Sequence, residues 1–333
     1  MTDLPEIISL FCGSGGLDWG FHREGFRIPL AIDHCEAAIK THKRNFPETE
    51  AVNFDLVKLG PAGVLKLTQK HVASGARIGI IGGPPCQGFS RANVQSQSED
   101  PRNTLPSLYL QIVEKLQKKY IVEFVIFENV LGIRDKRHAA TYEAILQGLI
   151  LAGFSVKESE LCALDYGVPQ NRKRIVLSAV RTGPKYGTFR IHKRSGPSTV
   201  LQAIGLLDEP AFYSPGLKRI DIPVHPNHWT MRPKSPRFRS PRKFRSDGRS
   251  FKLLRWEEAS PTIAFGNREI HVHPNGNRRI SIYEAMLLQG FPHDFVLEGN
   301  LSEQVQQISN AVPPPLARSL AAAIRRSVSS AAK

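Results

Sequence analysis

Only four cysteines occur in the 333 residues, Cys12, Cys35, Cys86 and Cys162, and no two of them form a CxxC pair. That scatter excludes a disulfide framework, argues against a structural zinc site and fits a reducing compartment. No apolar run approaches the roughly 20 residues needed to span a bilayer, and the start, MTDLPEIISLF, lacks the basic opening of a secretory signal. A soluble, cytoplasmic protein is expected. No internal repeat or low-complexity tract is evident, so solenoid architectures drop out. Acids are in short supply as well: 30 Asp and Glu face 45 Lys and Arg, a net charge of +15. An excess of that size favours a polyanionic partner, either nucleic acid or an anionic membrane surface. The length allows one large core and a smaller second unit.

The chain is organised around Gly82 to Ser90, GGPPCQGFS, which follows the β-branched run Arg77 to Ile81. It reads as a loop at the carboxyl end of a buried strand. Pro84 and Pro85 fix φ and remove two amide donors just before Cys86, giving a stiff loop that aims one thiol. Most single cysteines are small buried hydrophobes. Flanked by Pro-Pro and Gln-Gly, Cys86 suits a nucleophile better.

A strand, Glu6 to Phe11, runs into the glycine turn Cys12 to Gly16 and then an amphipathic helix. Such a turn lets backbone amides approach an anionic group of a nucleotide-like ligand. Asp18 stands where a dinucleotide-binding GxGxxG needs glycine, which weighs against a nicotinamide cofactor. A second strand, Pro29 to Ile32, ends at Asp33, which either accepts from ribose hydroxyls or caps the following helix. Asp55, in NFDL, is expected at the next strand end. Thr104 to Lys119 is predicted helical, and Tyr120 to Phe127 a buried strand ending at Glu128-Asn129-Val130. A carboxylate at the mouth of an apolar strand can hold a proton near neutrality, so Glu128 is the candidate acid. In Gln170-Asn-Arg-Lys-Arg174, alternation on an extended backbone would turn Arg172 and Arg174 to one face.

From about Lys185 proline, serine and basic residues dominate. Between Met231 and Trp256, ten basic residues, among them Arg232, Arg237, Arg239, Arg242 and Arg245, meet the single acid Asp247. Such density means phosphate contact or disorder. The interleaved Trp229, Phe238, Phe244 and Phe251 favour contact.

GGPPCQGFS resembles the catalytic loop of the DNA cytosine-5 methyltransferases, and so, over most of the chain, do FCGSGG, ENV, QNRKR and QISNAVPPPLARSL. The resemblance implies an α/β, Rossmann-like S-adenosylmethionine-dependent methyltransferase fold with a second, smaller, mostly irregular and β target-recognition domain. Its implied boundaries are a catalytic domain over 1–185, target recognition over 186–280, and a hinge with return to the catalytic domain over 281–333. It implies Cys86, Glu128, Arg172 and Arg174 as catalytic residues, with Arg174 near the cytosine O2. S-adenosyl-L-methionine would be held by Phe11, Gly13, Ser14, Gly15, Gly16, Asp33, His34, Asp55, Leu56, Pro85, Asn310 and Val312. Double-stranded DNA would meet Gln87, Ser90, Arg91, Arg232, Arg237, Arg239, Arg242 and Arg245. The chain departs from the pattern at Ser309, where the family has glycine. The expected protein is a monomer of a prokaryotic cytoplasm, metal-free, bound to the nucleoid through its DNA and paired with a restriction endonuclease. Two rivals use the same fold: a tRNA cytosine-5 methyltransferase, against which the long basic insertion speaks, and a catalytically silent DNA-binding protein, against which the joint presence of Cys86, Glu128, Arg172 and Arg174 speaks.

Overall fold

Short β-branched runs punctuated by glycine turns and amphipathic stretches produce alternating strands and helices. The computed structural model describes residues 4–85, 105–183, 186–187, 189–239, 251–263 and 271–329. Its strands begin with β1 (Glu6–Leu10), β2 (Leu30–Asp33), β3 (Glu50–Asn53), β4 (Arg77–Gly82), β5 (Ile121–Asn129), β6 (Phe154–Cys162), β7 (Gln170–Asn171) and β8 (Lys173–Arg181). Between them lie helices α1 (Gly16–Arg23), α2 (Glu36–Asn45), α3 (Leu56–His71), α4 (Leu105–Gln117) and α5 (Ala139–Leu151).

The described chain forms two compact units. The first comprises Met1–Cys162, Lys173–His192 and Ala317–Lys333. Its seven-stranded sheet has the order β3-β2-β1-β4-β5-β8-β6, parallel from β3 to β5, with β8 antiparallel to both neighbours. Helices cover a parallel sheet, so its central strands read as continuous apolar runs, and Val122 and Phe124 to Phe127 in β5 are wholly buried. Gly79 on β4 leaves room for the Phe124 ring, which stacks on Phe21 with centroids 5.9 Å apart. The last helix, α9 (Pro314–Ser329), packs on α1: a Cβ on Gly20 would lie 2.3 Å from the Ala317 carbonyl carbon, and Arg318 pairs with Glu24 at 2.8 Å.

The second unit comprises Ala163–Arg172 and Lys193–Leu316. It holds α6 (Val200–Ile204), α7 (Ile282–Leu288) and α8 (Leu301–Asn310), while α9 (Pro314–Ser329) begins in it. Elsewhere it is mostly irregular, tied by two-residue parallel pairings such as Gln170–Asn171 with Ser260–Pro261 and Ala211–Phe212 with Trp229–Thr230. Lacking long ladders, it uses buried polar groups. Arg278 grips the buried Glu284 with two 2.8 Å bonds, and Glu284 closes a capping box with Ser281 at the start of α7. Burial pushes the Glu284 carboxyl up, but Arg278 more than offsets it and holds the group below its usual range. Residues 163–172 join this unit through the β7 pairing, although they lie inside the predicted 1–185 segment. α7 and α8, within the segment predicted as hinge and return to the catalytic domain, lie in this unit.

Candidate active site

At the carboxyl end of β1 the chain turns sharply. Phe11, Gly13 and Gly15 have φ of 52°, 55° and 91°, the first unusual for a residue with a side chain. Gly15 is the N-cap of α1, so the amides of the turn sit at a helix N-terminus. The Asp33 carboxylate accepts from the Gly13 amide at 2.9 Å and from the Cys35 amide at 2.8 Å, serving the turn and the start of α2 together. His34 is exposed, its Nδ1 3.4 Å from Asp33. Asp55 lies past the end of β3 rather than on it, and its side chain accepts from Val57 N at 2.9 Å as the N-cap of α3, whose first residue, Leu56, is buried. Phe11 is half-buried against the main core.

A charged methionine moiety fits this turn. Ser14 Oγ is buried with no hydrogen-bond partner among the described residues, beside Gly13, around whose Cβ position there is open space. An orphaned hydroxyl among helix N-terminal amides is suited to a carboxylate.

The second cluster forms where β5 and β8 run side by side. Glu128, one residue from the end of β5, is 6% exposed, and its Oε1 lies 3.0 Å from Arg174 Nε at the start of β8. Taking a lone carboxylate from water is costly, and the guanidinium offsets that cost. The loop after β4 crosses this pair: Asn129 Nδ2 donates to the Pro84 carbonyl at 3.5 Å, and a Cβ on Gly83 would stand 2.8 Å from Glu128 Oε2. Gly83 is thus needed for close approach, here to the Glu128 carboxylate. Pro85 is half-buried, while Cys86, Gln87, Ser90 and Arg91 lie outside the described residues.

Arg172 is placed differently from expectation. Extended alternation would have paired it with Arg174, but the strand is interrupted there: β7 ends at Asn171, paired with Pro261, and Lys173 starts a new ladder with β6. Arg172 is 1% exposed, and its Nη2 donates to the carbonyls of Ser309 at 2.7 Å and Ala311 at 3.0 Å. It is a strut inside the second unit. Gln170 Nε2 donates to Gln289 Oε1 at 2.6 Å, Gln289 Nε2 donates to the same Ala311 carbonyl at 2.8 Å, and Gln170 Oε1 accepts from Ile263 N. Gln289, unremarked in the sequence, shares in holding the turn after Asn310, the exposed last residue of α8; Val312 beyond it is buried. Ser309 lies within α8, and its Oγ donates to the Gln306 carbonyl. No positive φ is required at this position, so serine replaces glycine without strain.

In the second unit, Arg232 sits 4.9 Å from the Phe212 ring, while Arg237 and Arg279 lie 5.9 and 5.3 Å from the Phe251 ring. A cavity of about 630 Å³ opens among Trp229, Phe238, Phe251, Arg232, Lys234 and Arg279. Arg239 ends a short 3-10 turn, and Arg242 and Arg245 lie outside the described residues. Among the described residues no group of His, Cys, Asp and Glu could hold a metal ion, and no helix is long and apolar enough to cross a membrane.

Residues 6–326 match the C-5 cytosine-specific DNA methylase family model. The type II methyltransferase M.MthTI of Methanothermobacter thermautotrophicus is 30% identical, with 96% of this chain and 97% of that protein covered. M1.HphI of Haemophilus parahaemolyticus is 31% identical over 95% and 86%. An E. coli prophage-encoded protein, described as a candidate DNA modification methyltransferase, shares the fold with a TM-score of 0.80 at 24% identity, covering 98% of this chain and 100% of that one. With the turn, the Glu128–Arg174 pair and a match along nearly the whole chain, this protein belongs to the C-5 cytosine-specific DNA methylases and is a DNA (cytosine-5-)-methyltransferase.

Proposed function

We propose that the chain methylates C5 of one cytosine within a specific double-stranded DNA sequence, through a covalent bond between Cys86 and C6 of a base flipped out of the helix. S-adenosylmethionine, held by Ser14 and the amides of the glycine turn with Asp33 and Phe11, supplies an electrophilic methyl group. Cytosine C5 is a weak nucleophile; thiolate addition at C6 turns the ring into an enamine that can attack that methyl, and a base then removes the C5 proton as the C6–S bond breaks and the Cys86 thiolate leaves. Glu128 holds a proton at N3 while negative charge builds on the ring, and Arg174 faces O2. The observation that carries the assignment is the buried pair of Glu128 and Arg174, 3.0 Å apart under the loop that leads to Cys86. C5 and C6 are out of reach inside a stacked duplex, hence the flipping.

The basic, aromatic surface around Arg232, Arg237 and Arg279 supports duplex binding by the second unit. The names of the type II relatives support pairing with a restriction endonuclease. We assign a monomer acting on DNA in the cytoplasm.

The deciding experiment is methyl transfer from labelled S-adenosylmethionine to plasmid DNA and to tRNA. Plasmid is expected to be the substrate, Cys86→Ser to abolish transfer while DNA binding persists, and DNA containing 5-fluorocytosine to trap the parent protein covalently. Transfer to tRNA alone, or an active Cys86→Ser variant, overturns the reading.

A further inference from the structure

Asp18 and His42 take no part in the chemistry above, yet both side chains are completely buried beneath the glycine turn. Asp18 Oδ1 accepts from Ser9 Oγ at 2.7 Å, and its Oδ2 lies 2.7 Å from His42 Nε2. One carboxylate thereby ties β1, α1 and α2 together. The His42 ring packs against Phe46 at 4.5 Å, and the two rings wall the turn from below. A Cβ on Gly15 would meet Phe46 at 2.5 Å and His42 at 3.1 Å.

We infer that Asp18 and His42 are positioning residues that hold Gly15 and its neighbours in the conformation that takes up the cofactor. The inference rests on the reading that this turn binds S-adenosylmethionine. Three positive φ values in five residues shape the turn, the one at Phe11 is strained, and such strain persists only where its surroundings over-determine it. Asp33 fixes Gly13, and the Cys12 carbonyl accepts from the Gly15 amide at 3.0 Å. The Asp18–His42 pair is the tether under Gly15 itself.

Stability alone is a poor reason for the pair. Replacing a buried pair of this kind with well-packed apolar residues is often neutral or stabilising. Here His42 Nδ1 is also buried without a partner among the described residues, a further cost. A costly polar contact placed against a strained turn is accounted for if it fixes geometry that apolar packing would let relax.

The test compares Asp18→Leu/His42→Phe, His42→Gln and Ser9→Ala with the full parent chain. Calorimetric dissociation constants for S-adenosylmethionine and S-adenosylhomocysteine, thermal melting, duplex DNA affinity and kcat at saturating cofactor are measured. The apolar double variant is expected to melt at or above the parent temperature yet bind both cofactor forms at least about tenfold more weakly, the equivalent of one lost hydrogen bond to a charged group. DNA affinity and kcat should stay near parental, and His42→Gln, which keeps a donor of similar reach, should recover most of the affinity. A merely structural role moves melting instead: lowered melting with cofactor affinity within about twofold of the parent overturns the inference. Should the double variant fail to fold, Ser9→Ala decides, because it removes one bond to Asp18; about threefold weaker binding is expected, and none overturns the inference. Gly15→Ala separates the two readings. If it leaves cofactor binding untouched, the turn is not the cofactor site and both fall, whereas loss of binding in Gly15→Ala alone sinks only the role of Asp18 and His42.

Discussion

Arg172 and Arg174 stand two residues apart in one basic run and have different surroundings. Arg174 faces a carboxylate at the end of a ladder, with its side chain 12% exposed. Arg172, 1% exposed, donates to two main-chain carbonyls and props a turn in the second unit. What separates them is the strand break between Asn171 and Lys173, which sends one side chain to each unit. Residue type and spacing suggest a matched pair, but hydrogen-bond partners divide the work into chemistry and support.

Substitutions on the two sides should separate in kind. The largest effect is expected from Glu128→Gln, which keeps the shape beside Arg174 but cannot pass a proton readily: turnover should fall about 10²- to 10⁴-fold with cofactor affinity nearly unchanged. Single-turnover methyl transfer and calorimetry check both halves. Arg174→Ala should lower turnover of the folded protein by about 10²- to 10³-fold, the scale of one lost charge-stabilising donor, and should also lower melting, because Glu128 is left buried without its guanidinium. Arg172→Ala should act on stability without the loss of turnover, costing about 2–4 kcal/mol because two buried carbonyls lose their donor. Denaturant melts would show it, and the folded fraction should keep near-parental kcat. A folded, stable Arg172→Ala chain with turnover lost as in Arg174→Ala would erase the distinction.

Histidine offers a finer test of the second unit's reliance on buried polar groups. His225 accepts from the Asn227 amide through Nδ1, and its Nε2 lies 3.1 Å from the Phe295 carbonyl, an arrangement of the neutral ring. Burial lowers its pKa from 6.5 to about 4, against the Phe295 contact, which raises it. The unfolded chain takes up the proton near 6.5 while the folded chain resists until about 4, so stability should be flat above that window and fall as pH drops through it. The loss is about 1–3 kcal/mol, and His225→Phe should flatten the profile. Smallest of all is Ser309→Gly: because the position is helical, glycine should gain nothing and cost up to about 1 kcal/mol, without tightening cofactor binding.

The sequence was most legible where one unit supplies both pattern and partner. The turn after β1, the predicted helix over Thr104 to Lys119 that forms as Leu105–Gln117, and the strand carrying Glu128 each announce themselves by local periodicity. β6 did not, because Lys157, Glu158 and Glu160 interrupt its apolar pattern and its order comes from pairing with β8. The role of Asp55 as a helix cap depends on β3 stopping at Asn53, and strand ends are set by pairing rather than composition. Gln289 and Asn227 were invisible for a related reason: their partners lie tens of residues away, and buried amides leave no period in a sequence. Nothing local marks Gly83 as the residue that must clear Glu128, because that need arises only once two strands lie side by side.

The packing of α9 on α1 at Gly20 bears on how the protein is made. The first unit contains segments from both ends of the chain, so its opening 162 residues leave the ribosome without the helix that covers them. Until residues 314–329 have been made, the Gly20 face of α1 lacks its cover, and chains stopped short of them should be inactive and prone to capture by chaperones. A separately supplied C-terminal helix would be expected to rescue such chains. The timing of the modifying activity in a cell would then follow synthesis of α9 rather than the first appearance of the catalytic loop.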